Sequence, residues 1–253
     1  MRINDALKVI EEYAPLSYQE EYDNSGLIVG DRNAELTGIL ITLDITAKTV
    51  DEAVNAGANL IISHHPLIFH PIKYITTDDL RGEIIIKLIA NGISAYAAHT
   101  NVDNTDENIA LEFMSGLNVK DICPLADCYG MKASLVKPLQ FIELIEIIKS
   151  HTGDNNIKSI GNLTDIVEEI SVLNGAGGSD EEFIIRCGAT SDVLITSELK
   201  HHIAILAAEL DLAVIEIGHF ESEKSFLELI HRKLTEKLDG IKIVKSEIKS
   251  PYN

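Results

Sequence analysis

The chain has 253 residues, of which 45% are hydrophobic and 24% charged, a composition typical of a globular protein with one large or two smaller domains. Its 40 acidic residues outnumber its 21 basic ones, and the net charge of −19 disfavours general binding to nucleic acid, because an acidic surface repels phosphate backbones. A local basic pocket could still bind one nucleotide.

The cysteines and the hydropathy pattern predict a cytoplasmic protein. Cys123, Cys128 and Cys187 form no CxxC motif, and their odd number favours a reducing compartment over a disulfide framework. Residues 1–15 have the charge pattern of a helix rather than that of a signal peptide. No run approaches the ~18 apolar residues of a membrane span, so we expect no membrane association.

Strands and helices alternate through the first half of the chain. The spacing of apolar residues and the Gly and Pro stop signals predict helices over 4–13, 47–57 and 81–92, and strands over 38–44, 59–63 and 93–98. Several of these strands are continuous apolar runs, which is the pattern of a parallel sheet covered on both faces.

A second α/β series begins near Met131. It predicts strands over 132–136, 167–175, 192–196, 212–217 and 241–246, and helices over 140–150, 201–210 and 221–238. The loop-like segment 121–130 separates the two series. We therefore expect two α/β lobes with mostly parallel central sheets, 1–122 and 123–253, with residues from about 218 onward returning to the functional site of the first lobe.

Three of the predicted strands are followed by histidines, each with a second histidine or a carboxylate nearby. The groups are His64 with His65, His99 with Asp103 four residues later, and His219 with Glu223 four residues later. In open α/β sheets, ligands bind at the carboxyl ends of the strands. If these strands are parallel neighbours, all three groups face one crevice.

The spacing within each group suits metal ions. A helix that begins directly after Gly218 would place His219 and Glu223 on one face. His64 and His65 would point to opposite sides of a strand, which suits two ions better than one. Together with carboxylate oxygens, these imidazoles fit a dinuclear Zn, Fe or Mn site of hydrolytic type.

Structural roles are the alternative for each group taken alone. The His-His-Pro sequence could be a turn whose imidazoles cap backbone carbonyls. Asp103 could be a helix N-cap, and Glu223 an exposed carboxylate of a first helical turn. The recurrence of such groups after three separate strands favours the metal-site interpretation.

Two further segments have open interpretations. Residues 174–180, NGAGGSD, could bind an anion through backbone N–H groups or form a tight turn. His201 and His202 stand at a strand-helix junction, where one could act as a general acid or base, or both could be solvated. The remaining histidines, His70, His151 and His231, have no supporting context and are expected on the surface or in the core.

The motifs together resemble those of a known family. They occur in this order along nearly the whole chain: EEYDNSGLIVG, IISHHPLIF, YAAHTNVDN, LNGAGG, ITSELKHH and IGHFESE. They are similar to the Nif-three-like family, also labelled GTP cyclohydrolase I type 2 homologues. In place of a Trp that is frequent in that family, this chain has Tyr22, and Glu198 replaces an Asp.

The resemblance implies a two-lobed α/β fold, a homohexameric ring, and two divalent metal ions per chain. The ligands that it implies are His64, His65, Asp103, His219 and Glu223. His99 would lie beside the centre or face the substrate.

These observations predict a metal-dependent hydrolase that acts on a nucleotide or a small phosphorylated substrate. His99 or His202 would carry the proton. The family label suggests hydrolytic opening of the purine ring of GTP. A non-catalytic metal-binding or regulatory ring-shaped scaffold is the alternative.

Overall fold

The computed structural model describes residues 1–125, 129–179 and 181–252, so Cys128 and Asp180 lie outside the described residues. The chain divides into two compact units, and the first consists of residues 1–105 together with the segment from Phe226 onward. The second consists of residues 106–225. The two-unit organisation agrees with the predicted lobes, but the boundary expected at 122 lies inside the second unit.

The N-terminal part of the first unit alternates helices and strands as predicted, with one additional strand, β1, and a short helix, α4. The elements are α1 (Ile3–Tyr13), β1 (Gly26–Val29), β2 (Ile39–Thr42), α2 (Ala47–Ala56), β3 (Leu60–Ser63), α3 (Leu80–Ala90), β4 (Ser94–Ala97) and α4 (Thr100–Asp103). Helix α2 begins after Thr46, whose hydroxyl accepts a hydrogen bond from the Thr49 N–H, and ends at the left-handed Gly57.

The second unit contains a further set of helices and strands. They are α5 (Ile109–Ser115), β5 (Val119–Pro124), β6 (Met131–Gln140), α6 (Phe141–Thr152), β7 (Lys158–Ile160), β8 (Ile166–Val172), α7 (Glu181–Gly188), β9 (Val193–Thr196), α8 (His201–Glu209), β10 (Ala213–Glu216) and α9 (His219–Glu223). The chain then continues through α10 (Ser225–Thr235) and, in the first unit, β11 (Ile243–Lys245).

The sheet of the first unit has the strand order β1-β4-β3-β2-β11. All its pairings are parallel except that of β1 with β4. In the parallel pair β3–β4, Ser63 lies opposite Ala97, so both strands end at the same edge of the sheet. Strands β2, β3 and β4 are buried throughout, which explains their continuous apolar sequences.

The sheet of the second unit has the order β5-β6-β8-β9-β10-β7. Its centre, β8-β9-β10, is parallel, while β5, β6 and β7 add antiparallel pairs on either side. Strand β5 contains the predicted lobe boundary, and its pairing with β6 assigns that segment to the second unit.

Two details differ from the sequence-based expectation at the C-terminal end. The segment 221–238 was predicted to be one helix, whereas α9 and α10 are separate, with Lys224 between them. The side chain of Lys224 donates a hydrogen bond to the carbonyl of Thr152, a contact between residues distant in sequence that a local pattern does not reveal. The segment that belongs to the first unit begins at Phe226, not near residue 218.

Among the described residues, no helix combines the length and the apolar character needed to cross a membrane. Cys123 is exposed and Cys187 is buried.

His151, on α6, is partly buried in the second unit. Its ring lies edge-on to Phe113 with 4.8 Å between centroids, and a Cβ on Gly116 would come within 2.2 Å of its Cε1 atom. Burial lowers the pKa of His151, and the positive charge of Lys224 lowers it further. The folded protein therefore holds this imidazole neutral at a pH where the unfolded chain protonates it.

This difference predicts a pH-dependent contribution to stability. As the pH falls below the ordinary histidine value of 6.5, the unfolded state gains a proton that folded His151 does not bind, and folding weakens. We expect the urea midpoint to drop more between about pH 7.5 and 5.5 in the wild type than in His151→Gln, with chelator present throughout. Parallel pH profiles for the two proteins would contradict this role of His151.

Candidate functional site

Three histidines converge at the carboxyl ends of β3 and β4 in the first unit. His64 and His65 directly follow β3, and His99 follows β4 after one residue. The centroid of the His64 ring lies 5.0 Å from that of His65 and 4.9 Å from that of His99. One ring nitrogen from each histidine lies within 4.8 Å of the others. These three residues could therefore hold a metal ion.

Each of these histidines has its Nδ1 atom against an oxygen acceptor. The distances are 3.0 Å from His64 to the carbonyl of Ala98, 2.9 Å from His65 to Asp44, and 2.8 Å from His99 to Asp23. An Nδ1–H that donates to oxygen fixes the neutral tautomer with its lone pair on Nε2. Metal-binding histidines are almost always oriented by such an acceptor, so the arrangement suits ligation through Nε2.

Asp23 is the most constrained of these acceptors. Its side chain is fully buried, and it accepts hydrogen bonds from the hydroxyl of Ser25 at 2.9 Å and from the N–H of Thr100 at 3.1 Å. Burial alone would raise the pKa of Asp23, but the hydrogen bonds from His99 and Thr100 hold it well below its usual range. Asp23 is thus a fixed anion that orients the His99 ring.

A second group lies on α9 in the second unit. This helix begins directly after Gly218, as expected, and brings His219 Nε2 to 3.0 Å from Glu223 Oε2. His219 Nδ1 lies 2.6 Å from Glu198 Oε1, so the imidazole stands between two carboxylates. Glu198 and Glu223 stabilise positive charge at this position, which either a second proton on the ring or a metal ion can supply.

The backbone of Glu198 adds to this interpretation. Its φ angle is 56°, in the left-handed region that residues other than glycine rarely adopt. Strained backbone of this kind tends to occur where a side chain must be held for function. Here the strained residue is the one whose carboxylate orients His219.

The glycine loop after β8 packs against Glu223. A Cβ on Gly175 would lie only 2.3 Å from Glu223 Oε1, and the φ angle of Gly175 is 64°, so this position favours glycine on both counts. The N–H of Gly175 donates to Ser222 Oγ at 3.0 Å, and that of Gly178 donates to the carbonyl of Ser197 at 3.0 Å. Both N–H groups serve internal hydrogen bonds, which favours the tight turn over the anion-binding alternative.

Some predicted residues are placed differently from expectation. His219 follows β10, which pairs with β9 and β7 in the second sheet, so this strand is not a neighbour of β3 and β4 in one sheet. Asp103 is the last residue of α4, and His99, rather than Asp103, completes the group of three in the first unit. Within the described ranges, the exposed His202 belongs to neither group.

The orienting carboxylates Asp23, Asp44 and Glu198 were not predicted. Two of them could have been found by the criterion that identified the histidines, namely a position shortly after a strand. Asp44 lies two residues after β2, and Glu198 lies two residues after β9. Asp23 follows no strand. It is 76 positions away from His99, and only the fold brings the two together.

The fold and these residues define an α/β protein with three candidate metal-binding histidines in the first unit and one in the second. A family model described as Duf34/NIF3 (NGG1p interacting factor 3) matches residues 1–251. The chain therefore belongs to the Duf34/NIF3 family, which confirms the resemblance found in its motifs.

Relatives across the full length support this assignment. The chain is 37% identical to the GTP cyclohydrolase 1 type 2 homolog of Clostridium perfringens, covering 100% of this chain and 99% of the relative. It is 32% identical to the GTP cyclohydrolase 1 type 2 of Helicobacter pylori, covering 90% and 89%. A solved Bacillus cereus protein related to NIF3 has the same fold, with a TM-score of 0.92, 22% identity, and coverage of 100% and 99%.

The contact between Glu198 and His219 predicts a role for Glu198 in metal binding. Glu198→Gln removes the negative charge that fixes the His219 ring, so we expect Zn²⁺ or Co²⁺ affinity to fall about 10- to 100-fold. A metal titration monitored by calorimetry measures the change in affinity. Glu209→Gln, at an exposed position on α8, removes the same charge and should leave the affinity unaltered. Equal losses of metal affinity in both variants would contradict this role of Glu198, because the effect would then come from the net charge of the protein.

Proposed function

We propose that this protein is a dinuclear-metal-dependent hydrolase that acts on a nucleotide. The observation that carries the proposal is the orientation of four histidines, His64, His65, His99 and His219, each with Nδ1 against an oxygen acceptor. A histidine with a purely structural role needs no such uniform arrangement, whereas a metal ligand requires its Nε2 lone pair to be presented.

The proposed ligands follow the family resemblance and are His64, His65, Asp103, His219 and Glu223. This set of imidazole and carboxylate donors suits Zn, Fe or Mn better than Mg or Ca, which prefer oxygen ligands alone. The position of His99 beside His64 and His65 makes it an additional candidate ligand or the group that faces the substrate.

Bound divalent ions supply Lewis acidity, which polarises the bond under attack and acidifies water. The proton released in hydrolysis needs an acceptor, and His99 is the proposed one because Asp23 stabilises a positive charge on its ring. His202, exposed in the first turn of α8, is the other candidate. Glu223, only 5% exposed, contributes a nearly buried negative charge that favours retention of a cation.

The proposed substrate class rests on the relatives. Proteins of Clostridium perfringens and Helicobacter pylori that match along most of their length carry GTP cyclohydrolase 1 type 2 in their names. Hydrolytic opening of a purine ring is the reaction that those names suggest for this chain. A phosphate ester or another nucleotide would use the same residues.

We also propose that the protein assembles as a homohexamer, as the family resemblance implies. Light scattering on the purified protein should then give six times the chain mass of 27.8 kDa. The mass of a single chain at micromolar concentration would contradict the assembly.

The experiment that tests the function begins with metal content. We expect about two equivalents of transition metal per chain in the wild type, and a large loss in both His65→Ala and Glu223→Ala. His231→Ala, which removes an imidazole from α10 of the first unit, is the matched control and should retain the metal. A wild-type protein without metal, or one whose metal content is the same in all three variants, would contradict the proposal.

The second readout is turnover. The metal-loaded wild type is assayed against a panel of nucleotides and phosphate esters, with Glu223→Ala as the control for contaminating activity. We expect hydrolysis of a purine nucleotide that Glu223→Ala lowers at least about 100-fold. Bound metal with no turnover on the whole panel would instead support a non-catalytic metal-binding or regulatory scaffold.

A further inference from the structure

A row of aromatic rings leads from the histidines of the first unit to its surface. The ring of Phe69 lies 6.2 Å from that of His99, edge to face, and the ring of Tyr22 lies 6.3 Å from that of Phe69. Tyr22 is 61% exposed, whereas Phe69 and His99 are partly buried. An exposed tyrosine next to a candidate site presents an apolar face to whatever enters it.

The two chain segments that carry these rings are tied together. The side-chain amide of Asn24, two residues after Tyr22, donates a hydrogen bond of 2.6 Å to the carbonyl of Ile68, the residue before Phe69. The neighbouring Asp23 is anchored to His99 and Thr100. These hydrogen bonds fix the two chain segments that carry Tyr22 and Phe69, so a ligand that stacks on the rings would lose less free energy in ordering those segments.

We propose that Tyr22 and Phe69 form a stacking platform for the heteroaromatic base of the substrate, with His99 at its inner end. This inference rests on the proposed function and names the part of the substrate that the first unit recognises. A base has an uncharged π face that stacks on aromatic side chains, whereas the net charge of −19 disfavours recognition through phosphate alone. The platform thus selects for bases rather than for phosphate esters in general.

The absence of tryptophan from the sequence permits a direct test. Tyr22→Trp introduces a single indole at the platform, whose fluorescence reports a stacked base. With the protein as purified, guanosine monophosphate should quench this emission in a saturable way, and ribose 5-phosphate, which has no base, should not. Equal responses to both probes, or no response to either, would overturn the proposal.

Affinity measurements on truncated variants provide the second test. Tyr22→Ala and Phe69→Leu should each weaken guanosine monophosphate binding about tenfold, as expected for the loss of one stacked ring. Tyr74→Ala removes a tyrosine that is 78% exposed in the same unit and should leave the affinity unchanged. Similar losses in all three variants, or none in any, would exclude the platform.

Two controls separate this inference from the proposed function. Metal content should be the same in Tyr22→Ala as in the wild type. If metal is retained but the guanosine monophosphate affinity does not change, the platform is contradicted and the proposed function is not. Light scattering of Tyr22→Ala tests whether the ring is instead a contact with a second copy of the chain. A changed mass with unchanged nucleotide affinity would assign Tyr22 to a subunit interface and overturn the proposal.

Discussion

The hydrogen bond from histidine Nδ1 to an oxygen acceptor is the interaction on which the arrangement of the candidate site depends. It recurs at four histidines, three times with a carboxylate and once with a backbone carbonyl. In each case it orients the ring, and for the three histidines of the first unit it also fixes the proton on Nδ1. Without it, the ring orientations would not be fixed, and Asp23 would lose one of the hydrogen bonds that offset the cost of its burial.

The two sheets position the histidines that donate these hydrogen bonds. In the first unit, the parallel register of β3 and β4 places Ser63 opposite Ala97, and the histidines follow at one edge. In the second, β10 ends before Gly218, and the helical start of α9 directs His219 towards Glu223. The fold thus turns residues distant in sequence into neighbours at strand ends, where parallel sheets generally bind ligands.

Much of this arrangement could be predicted from the sequence because its signals are local. Continuous apolar runs predicted β2, β3 and β4, and the spacing of His219 and Glu223 predicted their meeting on one helix face. What could not be predicted depends on pairing across the chain. The acceptor Asp23 and the assignment of β5 to the second sheet both follow from contacts between distant segments.

The most direct test of the central claim is a crystal structure of the metal-loaded protein with anomalous diffraction data collected at the metal absorption edge. We expect anomalous peaks about 2.0–2.1 Å from the Nε2 atoms of His64, His65 and His219, with each Nδ1 still bonded to its oxygen acceptor. Peaks bound through Nδ1, or no peak near these histidines in protein that retains metal, would contradict that claim.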